Sequence, residues 1–499
     1  MRRTAAAALA GDTRRPGRYP AVVSRLARPL PLVAALAAIL VALALRRPVD
    51  HDESQYVAAA LLSADGWLPY RDYAYLQTPL QPFAFAPLAW AAGGLAWPVL
   101  RVANALLGVV VIAAAWRTMR EAGVSPRIAT AGAGLLAASD ILLFSAGTAR
   151  NDALPAALFA LALIPVLRAE RGAGTRGGAL LAGLLLGAAV AAKISYALPA
   201  AAYGLYALVV RRHRPGWVAA GALPAIGLVA WTAAAAPAAF AFGVLTFPAA
   251  APAEYYAAAG RLAKLSVTTK LVDVVKFLAL GPAMLALVVV ARDRVWAHRL
   301  LDILILAGLV AALLPEPTWR QYLLPMLVPL FVRLGLAWQA RSPGRGWRIA
   351  AVVFACAGLA PSVEAIAMGG TLGEGMAVAR AIGDHRAVAT LSPQVLGRAP
   401  DRRFATGPFY FRSRTLLTAE HERDFQLVSQ ARLDGLADDP PAFILIGGEG
   451  AWSSGDDRLD AALERWAVAN GYVPERRIGA RFRLYARSRS AGAPSIAAR

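Results

Sequence analysis

The chain is poor in the residues that many catalytic and stabilising chemistries require. Its one cysteine, Cys356, sits inside an apolar run, so neither an intrachain disulfide nor a thiolate metal site can form. The five histidines are scattered and show no HExxH spacing, which leaves zinc-hydrolase chemistry without ligands. Charge is scarce as well: 17% of the residues are charged against 58% hydrophobic, and the mean hydropathy is +0.50. A soluble protein of 499 residues could not cover its surface with so little charge, and the chain reads as a membrane protein. There is no Walker motif, no GxGxxG after a strand and no internal repeat; the Gly447-Gly448 pair alone makes no phosphate loop.

What charge there is has one dominant sign, with a formal net charge of +21 and a pI near 10.9. A nucleic-acid-binding domain gathers such charge on one folded face. Here the arginines stand in short tufts between apolar runs, a pattern that marks loops retained on the cytoplasmic side, so no nucleic-acid partner is expected. Apolar runs of membrane length fall near 29–45, 98–116, 128–146, 153–168, 177–193, 194–210, 216–236, 273–291, 299–314, 321–339 and 347–367, about eleven spans. The first is read as a retained helix rather than a cleaved signal.

Every second loop is arginine-rich, as at Arg117, Arg120 and Arg127 or Arg211, Arg212 and Arg214. That alternation requires the proline-broken segment Thr78 to Gly94 to stay on one side as an interfacial or re-entrant helix. The expected layout is a basic cytoplasmic N-terminus at 1–28 and a transmembrane domain at 29–369, whose first external loop is 46–97. An external domain at 370–499 follows, in a bacterial inner membrane. From about Gly370 charge rises and long apolar runs stop. Strands are expected at Arg386 to Leu391, Ala442 to Ile446 and Arg481 to Tyr485, with a helix at Asp456 to Ala469. The fold class is therefore a polytopic α-helical membrane protein with a C-terminal soluble α/β domain.

Polar residues gather in four external places. Directly after the first span comes Asp50-His51-Asp52-Glu53-Ser54-Gln55-Tyr56, then Gly66-Trp67-Leu68-Pro69-Tyr70-Arg71-Asp72 and Gln77-Thr78-Pro79. A short second loop holds Arg150-Asn151-Asp152, Lys193 ends a span, and a late loop holds Trp319-Arg320-Gln321-Tyr322. Carboxylates beside a bilayer are costly to keep among lipids and useful to a polar substrate delivered there. Moving a sugar from a phosphate leaving group to a hydroxyl needs a carboxylate to take the proton and cations to hold the phosphate. Asp52, Glu53 and Asp152 are the candidate catalytic acids. Arg320, Tyr322, Lys193, Arg150, Tyr56 and Gln77 are the candidate substrate-binding groups. Trp67, Trp90, Trp97 and Trp319 are expected to anchor the interface.

At these residues the chain resembles the bacterial GT-C-fold glycosyltransferases, and is most similar to the branch of protein O-mannosyltransferases and lipid A aminoarabinose transferases. The resemblance spans about residues 29 to 340. It rests on Asp52-Glu53, the tract Gly66 to Asp72, Asp152, and Arg320-Gln321-Tyr322-Leu323-Leu324-Pro325. It implies an inverting transfer of one hexosyl or pentosyl unit from a polyprenyl-phosphate donor to a glycan, lipid or protein acceptor, with membrane lipids around it. Asp52 would be the base, Asp152 its support and Arg320 the contact to the lipid phosphate. Relatives often carry Lys before the proline where this chain has Gln77-Thr78, so part of the phosphate contact must come from elsewhere. A divalent cation, if one is used, would fall to Asp52 and Asp152, a thin ligand set. The rival readings are a transporter of lipid-linked sugars, which needs ionisable residues in mid-span and paired broken helices, and a non-catalytic envelope scaffold.

Overall fold

A computed structural model describes residues 30–293, 298–383, 388–398, 400–433, 435–448 and 458–488. The basic N-terminal tuft lies outside the described residues. Helix α1, Leu30–Arg46, is followed by a short α2, Glu53–Ala64, and by α3, Leu80–Ala92. A single 3-10 turn, Gly93–Leu95, joins α3 to α4, Ala96–Glu121. The two stand end to end, with α3 packed against α2 as well.

Two later helices are broken, and the breaks matter. The run expected at 128–146 forms α5, Pro126–Ala137, and α6, Asp140–Ala146, bent by 65°. Ser139 takes an extended backbone there and starts the second helix, as Ser does at helix N-termini. The run at 273–291 likewise becomes α13, Val267–Ala279, and α14, Pro282–Arg292, bent by 101°. Between the two broken pairs come α7, Ala153–Glu170; α8, Arg176–Ala192; α9, Ala197–Val209; α10, Pro215–Ala235; α11, Pro237–Ala241; and α12, Phe247–Ala258. The bundle closes with α15, Arg299–Leu313; α16, Leu324–Ala340; and α17, Arg345–Ala367.

Five of the described helical runs are long and apolar enough to cross a membrane, or seven if each bent pair is one span. Three shorter apolar helices fall below that length. The chain is thus a multi-pass helical protein, and the expected eleven spans are not reached on these criteria. Small residues let the helices touch: a Cβ on Gly183 of α8 would lie 1.9 Å from the Val218 carbonyl oxygen of α10, so only glycine fits. Such small-residue contacts supply van der Waals packing where the hydrophobic effect cannot.

After α17, helix α18, Leu372–Ile382, leads into a four-stranded sheet. Its strands are β1, Val388–Ala389; β2, Phe443–Ile446; β3, Tyr472–Ile478; and β4, Phe482–Arg487, in the order β1-β2-β4-β3. β1 runs parallel to β2, and the other two pairings are antiparallel. Three short helices, α19 at Pro408–Phe411, α20 at Ala419–Asp424 and α21 at Gly435–Asp438, lie between β1 and β2. Helix α22, Arg458–Ala469, covers the sheet with Leu459, Leu463, Trp466 and Ala467 buried. The starts of the expected first strand and of the expected helix lie outside the described residues. Strand β3 is not among the expected strands, because Pro474 and the three charges Glu475, Arg476 and Arg477 interrupt its pattern; it pairs only with β4, at the edge where proline is tolerated.

This domain does not hang free. Leu372, Val378, Val395, Phe482 and Leu484 share one apolar core with Val57 and Leu61 of α2 and with Trp97 and Leu100 of α4.

Candidate active site

The first helix ends at Arg46, and Pro48 two residues on keeps the chain from continuing it. The turn that follows brings the Glu53 amide to the Asp50 carbonyl at 3.0 Å and starts α2. Successive side chains at a helix start point about 100° apart, and the two acids of the Asp52-Glu53 pair part company here.

Glu53 turns inward and is fully buried. Its carboxylate accepts from Trp97 Nε1 at 2.6 Å, Arg101 Nε at 2.8 Å, Arg101 Nη2 at 2.6 Å, the Ala149 amide at 2.9 Å and the Asp50 amide at 2.9 Å. Arg101 spends its remaining donors on the carbonyls of Ala44, Arg47 and Pro48. A carboxylate so saturated has no lone pair to offer a substrate. Glu53, expected among the catalytic acids, instead ties α4, the first loop and the loop at Ala149 together. Trp97, expected at the membrane interface, is a buried donor in the same frame.

Asp52 points the other way. Its side chain is 18% exposed and meets Arg150 Nη1, while His51 Nε2 lies 3.1 Å from its Oδ1. The same Arg150 Nη1 reaches Asp50 at 2.7 Å, and Arg150 Nε reaches Asp152 Oδ2 at 2.9 Å. Asp152 stands at the N-terminus of α7 without capping it. Its other oxygen takes Lys193 Nζ, from the C-terminus of α8. Asp52 and Asp152, a hundred residues apart, are therefore held by one guanidinium, with Asn104 fixing the loop through the Thr148 and Arg150 carbonyls at 2.7 Å each. Burial pushes the Asp50 carboxyl up, but Arg150 outweighs it and holds the group at about 2. Asp152 is likewise held below the ordinary carboxylate range, burial being outweighed by Lys193 and Arg150.

The late loop supplies the opposite wall. Arg320, in a 3-10 turn Arg320–Leu323, pairs with Asp140 at 2.8 Å and lies 3.8 Å from the Phe144 ring centre. Tyr322 from the same turn lies under Lys193, whose Nζ is 5.4 Å from the ring centre. Tyr56 is buried one turn into α2, with the Tyr75 ring edge-on at 6.4 Å. It feels the charges of Arg150, Asp52 and Asp152. Gln77 is not drawn in: among the described residues its only hydrogen bond is from the Tyr70 hydroxyl to its backbone carbonyl, and neighbouring Thr78 donates to Val190 of α8. Of the nine expected site residues, Asp52, Asp152, Arg150, Lys193, Tyr322, Tyr56 and Arg320 thus line one region.

Asp140, Phe144, Arg47 and Arg101 were not foreseen. Signals for two of them were present, because Ser139-Asp140 and Arg101 are polar interruptions of apolar runs, which are expensive in a membrane unless paired.

The C-terminal domain roofs this region. Phe409 of α19 stacks on His51 with ring centres 5.8 Å apart. The preceding Gly407, at φ +57°, sits so close to α2 that a Cβ would lie 2.4 Å from Ser54 Oγ. On the far side, Glu254 of α12 accepts from the amides of Arg414, Thr415 at 2.9 Å and Leu416 at 3.2 Å.

A divalent cation between Asp52 and Asp152 does not fit this donor set, since the Arg150 guanidinium occupies the space between them and Lys193 takes the remaining Asp152 oxygen. Asp50, His51 and Asp52 do bring ligand atoms within 4.8 Å of one another, but both carboxylates are already on Arg150.

No protein-family model matches the chain, and no curated sequence does. Among solved structures it is similar to ArnT from Cupriavidus metallidurans bound to undecaprenyl phosphate, with TM-score 0.63 and 16% identity over 95% of this chain and 100% of that one. ArnT from the same organism in the apo state gives TM-score 0.57 and 16% identity over 94% of this chain and 100% of that one. The chain accordingly has the GT-C fold of membrane glycosyltransferases. At such identity the likeness speaks for the fold alone.

Proposed function

We propose that the protein is an inverting glycosyltransferase that moves a single sugar from a polyprenyl-phosphate donor to a hydroxyl acceptor on the external face of a bacterial inner membrane. The observation that carries this reading is the shared Arg150: two acids from distant loops meet on one guanidinium, beneath the contact of Phe409 with His51 and beside a second cation, Arg320. The GT-C fold, and the undecaprenyl phosphate held by the structurally similar ArnT, support it.

In this reading the partly exposed acid, Asp52, takes the proton of the acceptor hydroxyl as its oxygen attacks the anomeric carbon. The bond from that carbon to the phosphate oxygen breaks on the opposite face, and Arg320 meets the charge left on the departing phosphate. Arg150 fixes the Asp52 carboxylate in place, with Asp152 and Lys193 bracing it. Glu53 and Arg101 hold the loop on which Asp52 rides. Acceptor selection falls to the seam between the first loop and the C-terminal domain, where Phe409 meets His51.

The test is a transfer assay on the purified protein with a polyprenyl-phosphate sugar. Asp52→Asn and Arg320→Ala should each lose turnover while remaining folded. Normal turnover in both rejects the mechanism. Mass spectrometry of envelope glycans with and without the protein would name the sugar and its acceptor.

A further inference from the structure

The ionised groups of the site are matched in number and unevenly distributed. Glu53 is met by Arg101, Asp140 by Arg320 and Asp152 by Lys193, while Asp50 and Asp52 share the one guanidinium of Arg150. Asp50 and Asp52 thus compete for one guanidinium, with His51 beside Asp52, while among the described residues no carboxylate stands at ion-pair distance from Arg47.

Arg47 is 7% exposed, and among the described residues no carboxylate reaches it at ion-pair distance. Its Nη2 donates to Ser362 Oγ at 3.0 Å, a neutral partner. Its guanidinium carbon lies 5.6 Å from the centre of the Phe144 ring, the ring that Arg320 approaches to 3.8 Å and Arg150 to 5.5 Å. Burial, and after it the like charge of Arg320, hold the Arg47 pKa down to about 10, so the pair repel each other. Near both is Asp140, whose Oδ2 takes Arg320 while its buried Oδ1 has no hydrogen-bond partner among the described residues. Two buried or half-buried guanidinium groups around one aromatic ring, underserved by carboxylate, are stabilised by an incoming anion.

We propose that Arg47 and Arg320 together form the seat of the donor's phosphate group, with Phe144 as its floor. This rests on the transfer reading above and deepens it by naming Arg47 as the second phosphate ligand. The electrostatics follow the reaction. As the acceptor oxygen bonds to the anomeric carbon, its proton passes to Asp52 and the electron pair of the broken bond leaves on the phosphate oxygen. One negative charge thus disappears at Asp52 and one is added to the phosphate, where the guanidinium groups of Arg47 and Arg320 meet it.

The experiment measures binding of polyprenyl phosphate, without sugar, to the full chain in phosphatidylcholine nanodiscs, with inorganic phosphate and phosphatidylglycerol as competitors. Arg47→Gln should weaken binding roughly ten- to a hundredfold, and Arg47→Lys should recover part of the loss. Unchanged binding in Arg47→Gln, with a wild type that binds and transfers, overturns the seat and leaves the transfer reading standing. A wild type that binds no polyprenyl phosphate overturns the transfer reading itself. Displacement by phosphatidylglycerol as effective as by polyprenyl phosphate overturns the assignment to the donor. Should Arg47→Gln not fold, Arg320→Gln, whose wild-type side chain is 26% exposed, reads the same seat by the same binding loss.

Discussion

Asp52 and Glu53 are neighbours in the chain and belong to different parts of the molecule. Glu53 is fully buried, receives five hydrogen bonds and holds α4, the first loop and the loop at Ala149 in one frame. Asp52 keeps 18% of its side chain exposed and shares its cation with two other carboxylates. The difference teaches how to sort acids at a membrane surface: a saturated carboxylate supports structure, while one that competes for a cation retains lone pairs for a substrate. It also explains why the frame must be rigid, since Asp52 is placed by the turn that Glu53 anchors.

The comparison can be broken most directly by substituting each side in turn. Asp52→Asn should lower transfer by about 10²–10⁴-fold, with a melting temperature close to wild type; a large loss of folded protein would put Asp52 in the frame with Glu53. Arg101→Ala leaves Glu53 buried and without its cation, which costs about 3–5 kcal/mol of stability. Its expected signature is loss of monodisperse protein on size-exclusion chromatography, and a stable, inactive variant would contradict the structural role given to the pair. A smaller effect is expected at the roof. Phe409→Ala removes one aromatic stack, about 0.5–1.5 kcal/mol, and should shift acceptor KM more than global melting.

The smallest effect is a pH dependence. The folded pKa of Asp50 is lowered from 3.8 to about 2, so its contribution is complete above the ordinary value and is lost as the pH falls through the folded one. The melting difference between wild type and Asp50→Asn should therefore stay constant from about pH 7 to about pH 5 and shrink only below about pH 4. A collapse at near-neutral pH would mean that Arg150 does not bind Asp50 as drawn.

Much of the layout is legible in the sequence alone. The run expected at 29–45 is α1 at Leu30–Arg46, and that at 153–168 is α7 at Ala153–Glu170. Hydropathy failed at Ser139 and near Gly281, where one polar residue or one glycine lets the helix turn while the apolar average scarcely changes. It also gave no assignment to residues 237–272, where α12 carries the Glu254 that docks the C-terminal domain.

Composition and pattern suffice to show that the chain is helical and multi-pass, that acids follow its first helix and that a small sheet lies toward its C-terminus. These are properties of composition and local period, which neighbouring residues fix among themselves. Which acid faces inward, that Arg150 joins Asp50 and Asp52 to Asp152, and that no carboxylate among the described residues reaches Arg47 at ion-pair distance are matters of tertiary packing alone. An ion pair across a hundred residues depends on how helices pack and break, and no local pattern records that distance.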